Sequence, residues 1–96
     1  MIVHIVMFKF KEENKAAHLA EVERMLNALP DRIDGLLSME VGIDFNGSER
    51  AMDMVLTSTF ETVEDLKVYA THPAHLEVVK FIRETTIESK VVDYVR

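Results

Sequence analysis

The chain has no cysteine and no tryptophan, only three glycines and two prolines among its 96 residues, and only 11 Lys and Arg against 17 Asp and Glu. The missing cysteine excludes a disulfide scaffold, thiolate-bound zinc and a thiol nucleophile. It also fits a reducing compartment. With so little glycine and proline there is no linker or low-complexity tract, so residues 1–96 read as one domain. The net charge of −6 and the lack of any basic run argue against binding nucleic acid or an anionic membrane surface. The longest apolar run, residues 5–8, is far short of the ~20 residues that span a bilayer. The N-terminus opens as a strand and shows no signal-peptide pattern. Together these features lead us to expect a cytoplasmic protein that touches neither membrane nor nucleic acid.

What is present is a clear alternation of periods. Residues 2–10 are apolar on both faces, with Ile2, Val6, Phe8 and Phe10 beside His4, and Val3, Ile5 and Met7 opposite. Such a strand needs cover on both sides. Leu19, Val22, Met25, Leu26 and Leu29 then follow helical spacing, with Asn14 as the expected N-cap and Pro30 as the stop. Gly35 turns the chain into a second strand, 36–45, whose Leu37, Met39, Val41, Ile43 and Phe45 share a face. Asn46-Gly47 marks a hairpin loop before a third strand, 51–60. Thr62 opens a helix in capping-box fashion. His72-Pro73 interrupts that helix, and Pro73 suits the first position of another, reaching residue 83 or 84. A final strand covers 87–95. The order β-α-β-β-α-β is the α+β, ferredoxin-like arrangement, a four-stranded antiparallel sheet with helices on one face. The opposite sheet face lacks cover within the chain yet carries apolar residues, so a homodimer joined through that open face, a dimeric α/β barrel, is expected.

Chemically versatile side chains concentrate in residues 69–75. Tyr69 ends one helix, and His75 lies in the first turn of the next, where the helix dipole lowers an imidazole's proton affinity and leaves a neutral base. A nearby phenol can hold a carbonyl or a developing enolate. His72 before a proline reads equally as an N-cap, and His75 as a cap or packing group. His4 is either a hydrogen-bonded core histidine or a group that meets the Tyr69–His75 region beneath the helices. His18 reads as surface or boundary, and the six methionines as core filler. No metal site is expected, because Pro73 separates His72 from His75 and no third ligand is placed. Nor is a cofactor, since there is no phosphate-binding glycine loop. The lack of a nucleophile elbow excludes serine-hydrolase chemistry.

The segments His4-Ile5-Val6-Met7-Phe8-Lys9-Phe10-Lys11, Leu29-Pro30 with Ile33 and Gly35, Glu40-Val41-Gly42, Asp53-Met54-Val55-Leu56 to Phe60-Glu61, Tyr69 with His72-Pro73-x-His75, and Val91-Val92-Asp93-Tyr94 stand in order along nearly the whole chain. In this pattern the chain resembles the stress-responsive A/B barrel (Dabb) family of the dimeric α/β barrel superfamily. The resemblance implies a ferredoxin-like monomer and a homodimer whose sheets form a barrel. The family also includes a plant polyketide cyclase that runs an aldol condensation without a cofactor. By that likeness His75 would be the base, Tyr69 would hold the carbonyl, and His4 and His72 would be supporting ligand contacts. Three roles follow: a binder of a small apolar or aromatic metabolite between sheet and helices, a cofactor-independent aldol or proton-abstracting enzyme, or a non-catalytic stress-related structural protein.

Overall fold

A computed structural model describes residues 1–96. The elements in chain order are β1 (Ile2–Phe10), α1 (Lys15–Asn27), a 3₁₀ turn (Leu29–Asp31), β2 (Leu36–Ile43), β3 (Met54–Phe60), α2 (Val63–Thr71), α3 (Pro73–Thr85) and β4 (Thr86–Val95). The strands form one sheet in the order β2-β3-β1-β4, every neighbouring pair antiparallel. This is the ferredoxin-like β-α-β-β-α-β arrangement, with its second helix broken in two.

Alternation along the strands sorts side chains to two faces. Ile2, Phe8 and Phe10 of β1 and Leu56 and Phe60 of β3 point to the helical side. There Val22 and Leu26 of α1 and Val78 and Ile82 of α3 close over them. Burying each such side chain contributes roughly 1.5–3 kcal/mol. The opposite face keeps Met7, Val92 and Tyr94 in contact with solvent, and β4 is exposed along nearly its whole length.

Local chemistry explains the turns. Thr62 Oγ1 accepts the Asp65 amide at 3.1 Å and starts α2, as expected. Gly35 has φ +90°, and a Cβ there would stand 2.9 Å from Asp65 Oδ1. Only glycine both adopts that backbone and lets α2 approach so closely.

Three expectations needed correction. Asn14 stands at the head of α1, but its φ of 55° is left-handed and its side chain caps nothing. Strand β2 ends at Ile43 rather than residue 45, and β3 begins at Met54 rather than 51. Asp44 leaves the strand pattern to accept the Gly47 amide through Oδ2 at 2.7 Å, closing the turn and leaving Phe45 98% exposed. Finally, the β2–β3 register pairs Leu36 with Phe60 but Ser38 with Thr59. The extra residue is a bulge, so Leu36 reaches the core while Leu37 turns to solvent.

One charged cluster ties three elements together. Asp53, buried just before β3, accepts the Phe10 amide at 2.7 Å through Oδ2, while Oδ1 pairs with Lys15 Nζ at 2.9 Å and Lys9 Nζ at 3.6 Å. Burial opposes ionisation, but the amide and the two lysines outweigh it and hold the carboxyl below its usual range. A carboxyl so depressed stabilises the fold above its unfolded-state value near 3.9 and loses that contribution as pH falls through the folded value. We therefore expect Asp53→Asn to lower the unfolding free energy by about 2 kcal/mol at pH 7. The deficit should shrink below about pH 4. Denaturant titrations at several pH values check this, and a deficit that is constant down to about pH 2 would refute it.

Candidate functional site

The break between α2 and α3 builds the site. At the end of α2 the His72 amide donates to the Tyr69 carbonyl at 3.2 Å, and the chain then goes extended at His72. There His72 Nδ1 accepts the Ala74 amide at 3.0 Å, and Pro73 occupies the first helical position, where no amide is needed. Because α3 restarts at this point, His75 comes back over Tyr69. The two ring centroids lie 4.1 Å apart at an interplanar angle of 34°.

The hydrogen bonds fix the histidine's tautomer. His75 Nδ1 lies 3.1 Å from the Ala70 carbonyl, which can only accept. The Nδ1 proton is therefore held there, and Nε2 keeps its lone pair. Burial pulls the His75 pKa below its ordinary value, the Ala70 carbonyl opposes this, and nearby His4 and His72 lower it further. The dipole at the start of α3 favours the same direction, but burial is the leading cause.

Tyr69 is 1% exposed, and its hydroxyl finds no hydrogen-bond partner. Burial alone pushes its pKa well above the normal phenol value, so it is a neutral donor. It rests against Phe60 at 5.1 Å and meets the His4 ring edge-on at 6.1 Å. His4 projects from β1 to the helical side, and its Nδ1 donates to Asp93 Oδ1, directly opposite on β4. Sequence reasoning missed this carboxylate. Its only signal is a single acid within the apolar run Val91-Val92-Asp93-Tyr94, legible once the β1–β4 register is known.

A cavity of about 250 Å³ opens between sheet and helices, with His4, Tyr69 and His75 in its wall beside Val6, Leu56 and Ile82. His72 does not line it; this residue serves as the cap of α3. His18 lies elsewhere at a boundary position, the second of the two expected alternatives, edge-on to Phe81 at 5.7 Å with its Nδ1 buried and unpartnered. No three His, Asp or Glu side chains stand close enough to hold a metal ion, and no helix is long and apolar enough to cross a membrane.

The profile of the stress responsive A/B barrel domain matches residues 2–96. The chain belongs to that family. It is 37% identical over 81 residues, 83% of its length, to a stress-response A/B barrel domain-containing protein of Arabidopsis thaliana, and spans about 30% of that protein's length. Among solved structures it is similar to a dimeric protein of unknown function with a ferredoxin-like fold from Bacteroides fragilis. That match has 34% identity and TM-score 0.89, and covers 97% of this chain and 93% of the other. A hydroxynitrile lyase from Passiflora edulis shares the fold at 21% identity and TM-score 0.85, with 97% and 90% covered.

In this A/B barrel domain the unpartnered Tyr69 hydroxyl carries a desolvation cost with no return. Tyr69→Phe should leave the unfolding free energy unchanged or raise it by about 1 kcal/mol. His75→Ala, which empties the stack and breaks the Ala70 bond, should lower it by roughly 1–3 kcal/mol. Urea unfolding of both variants checks the pair. A large loss from Tyr69→Phe would mean that the hydroxyl is already bonded.

Proposed function

We propose that this A/B barrel domain binds a small, largely apolar or aromatic metabolite between sheet and helices, as a homodimer paired through its open sheet face. The observation that carries the binding reading is the buried, unpartnered hydroxyl of Tyr69, a residue that stacks on His75 and lines the same cavity with it. Buried polar groups are nearly always satisfied, and a ligand oxygen would satisfy this one. The volume, just under the ~300–1,000 Å³ of drug-sized sites, suits a small molecule.

The fixed His75 tautomer favours a second reading, cofactor-independent proton abstraction. His75 Nε2 would take a proton from the carbon next to a ligand carbonyl, and the electron pair would move onto that carbonyl oxygen, which accepts from the Tyr69 hydroxyl. The resulting enolate would attack a second carbonyl carbon, and the proton on His75 would pass to the new alkoxide. In this arrangement Asp93 orients His4 at the wall as a positioning group, and His72 acts only by shaping the helix break. A third reading, a structural protein whose histidines merely cap and pack, predicts no ligand at all.

A thermal-shift screen of small aromatic, polyketide-like and fatty metabolites on the wild type and His75→Ala separates these. A ligand at ~100 times its Kd adds about 2.7 kcal/mol to stability. We expect at least one compound to shift the wild type and to fail on the folded variant. If none binds and the variant only melts earlier, the structural reading prevails.

For the homodimer, the support is the relative described as dimeric and the apolar, solvent-facing Met7, Val92 and Tyr94. Beside them an apolar cleft of about 360 Å³ is walled by Met7, Phe45, Met52 and Val55. Patches of this kind mark interfaces. Sedimentation should give about twice the 11.0-kDa chain mass, and Val92→Glu should shift it toward monomer. A wild-type monomer at micromolar concentration would remove this assignment.

A further inference from the structure

We infer that the ligand of the Tyr69–His75 cavity is an apolar carboxylate whose anionic end is met by Arg83 and whose body carries an oxygen that accepts from Tyr69. This rests on the binding reading above and names its ligand class. His75, Val79, Ile82, Arg83 and Thr86 all line the cavity. Their spacing of four, three, one and three residues keeps them on one side of α3 and its C-terminal end, so the cavity runs along that side. His75 and Arg83 are eight residues apart, about 12 Å along the axis. Helical side chains lean toward the N-terminus, which tips the Arg83 guanidinium back over the cavity.

The charges in the wall are unequal. Tyr69 and His75 are neutral at the buried end. Arg83 is the only Lys, Arg, Asp or Glu lining the cavity, and it joins none of the chain's ion pairs. Thr86 and Ser89 are further polar residues of the same wall, the Thr86 hydroxyl already donating to the Ile82 carbonyl at 2.8 Å. In a chain of net charge −6, an unpaired guanidinium in the wall of a largely apolar cavity suits a carboxylate. The two polar ends are independent: the buried hydroxyl lacks an acceptor, and the exposed cation lacks an anion.

Calorimetric titration with three probes separates the two ends. 5-Oxooctanoate carries both groups, 5-oxooctanamide lacks the charge, and octanoate lacks the ketone. The wild type should prefer 5-oxooctanoate over its amide by about fivefold or more, and the preference should fall as salt rises. Arg83→Ala, a change at an exposed site, should erase the acid-over-amide preference, and Arg83→Lys should restore part of it. Tyr69→Phe should erase the preference for 5-oxooctanoate over octanoate and leave the charge preference intact. If acid and amide bind the wild type equally while Tyr69→Phe still weakens both, the cavity binds ligand but the carboxylate assignment is wrong. An acid preference that survives Arg83→Ala also overturns it. If no probe binds the folded wild type, the carboxylate assignment falls, and the binding reading falls with it only if the metabolite screen is also empty.

Discussion

Strand β1 is hydrogen-bonded on both sides and apolar on both faces, and the rest of the chain is arranged around that constraint. Its even-numbered side chains need a helical layer, which α1 and α3 supply through Val22, Leu26, Val78 and Ile82. Its odd-numbered side chains need a second cover, which the chain does not supply to Met7. Its two hydrogen-bonding edges need β3 and β4. His4 occupies the helical face of this strand, so the element that organises the core also delivers a polar group to the cavity. Asp53 anchors the far end of the same strand through the Phe10 amide.

The second dependence is on the interruption between α2 and α3. A continuous helix would place Tyr69 and His75 six residues apart, about 120° around the axis and about 9 Å along it. With His72 extended and Pro73 restarting the helix, the two rings stack instead. His72 therefore shapes the site without entering it. Its imidazole commits Nδ1 to a backbone amide, and what it contributes is an angle between helices.

The element order, the broken second helix, the Thr62 cap and the uncovered sheet face were legible in the sequence because each rests on local chemistry or a short period. So was the grouping of Tyr69 and His75, which are near in sequence. The bulge at Leu37 was not, because inserting one residue inverts the faces of everything before it and the alternation alone reads equally well in either register. The start of β3 was misplaced because Asp44 takes over the turn that Asn46-Gly47 announces. Nothing in the local sequence marks out Asp53 or Asp93. Each acquires its partner from another strand, Lys15 aside, and only tertiary register makes that visible. Arg83 was hidden for a different reason, since an arginine in the last turn of a helix already has an adequate explanation in the dipole.

The pairing of β1 with β4 brings residues 1 and 96 together. The Met1 amino group lies 3.1 Å from the Arg96 carbonyl, and the Arg96 amide donates back to Met1 at 2.8 Å. Of the four strands, β1, one of the two inner ones, is the first to leave the ribosome, and its outer neighbour β4 the last. Until β4 arrives, one edge of β1 is a bare template and His4 has no carboxylate to orient it. Contacts so distant along the chain slow folding, because the loop-closure entropy must be met before the pairing gives anything back. The cavity wall at His4 is therefore among the last parts of the domain to form, and an unfinished domain exposes the strand edge that aggregation uses.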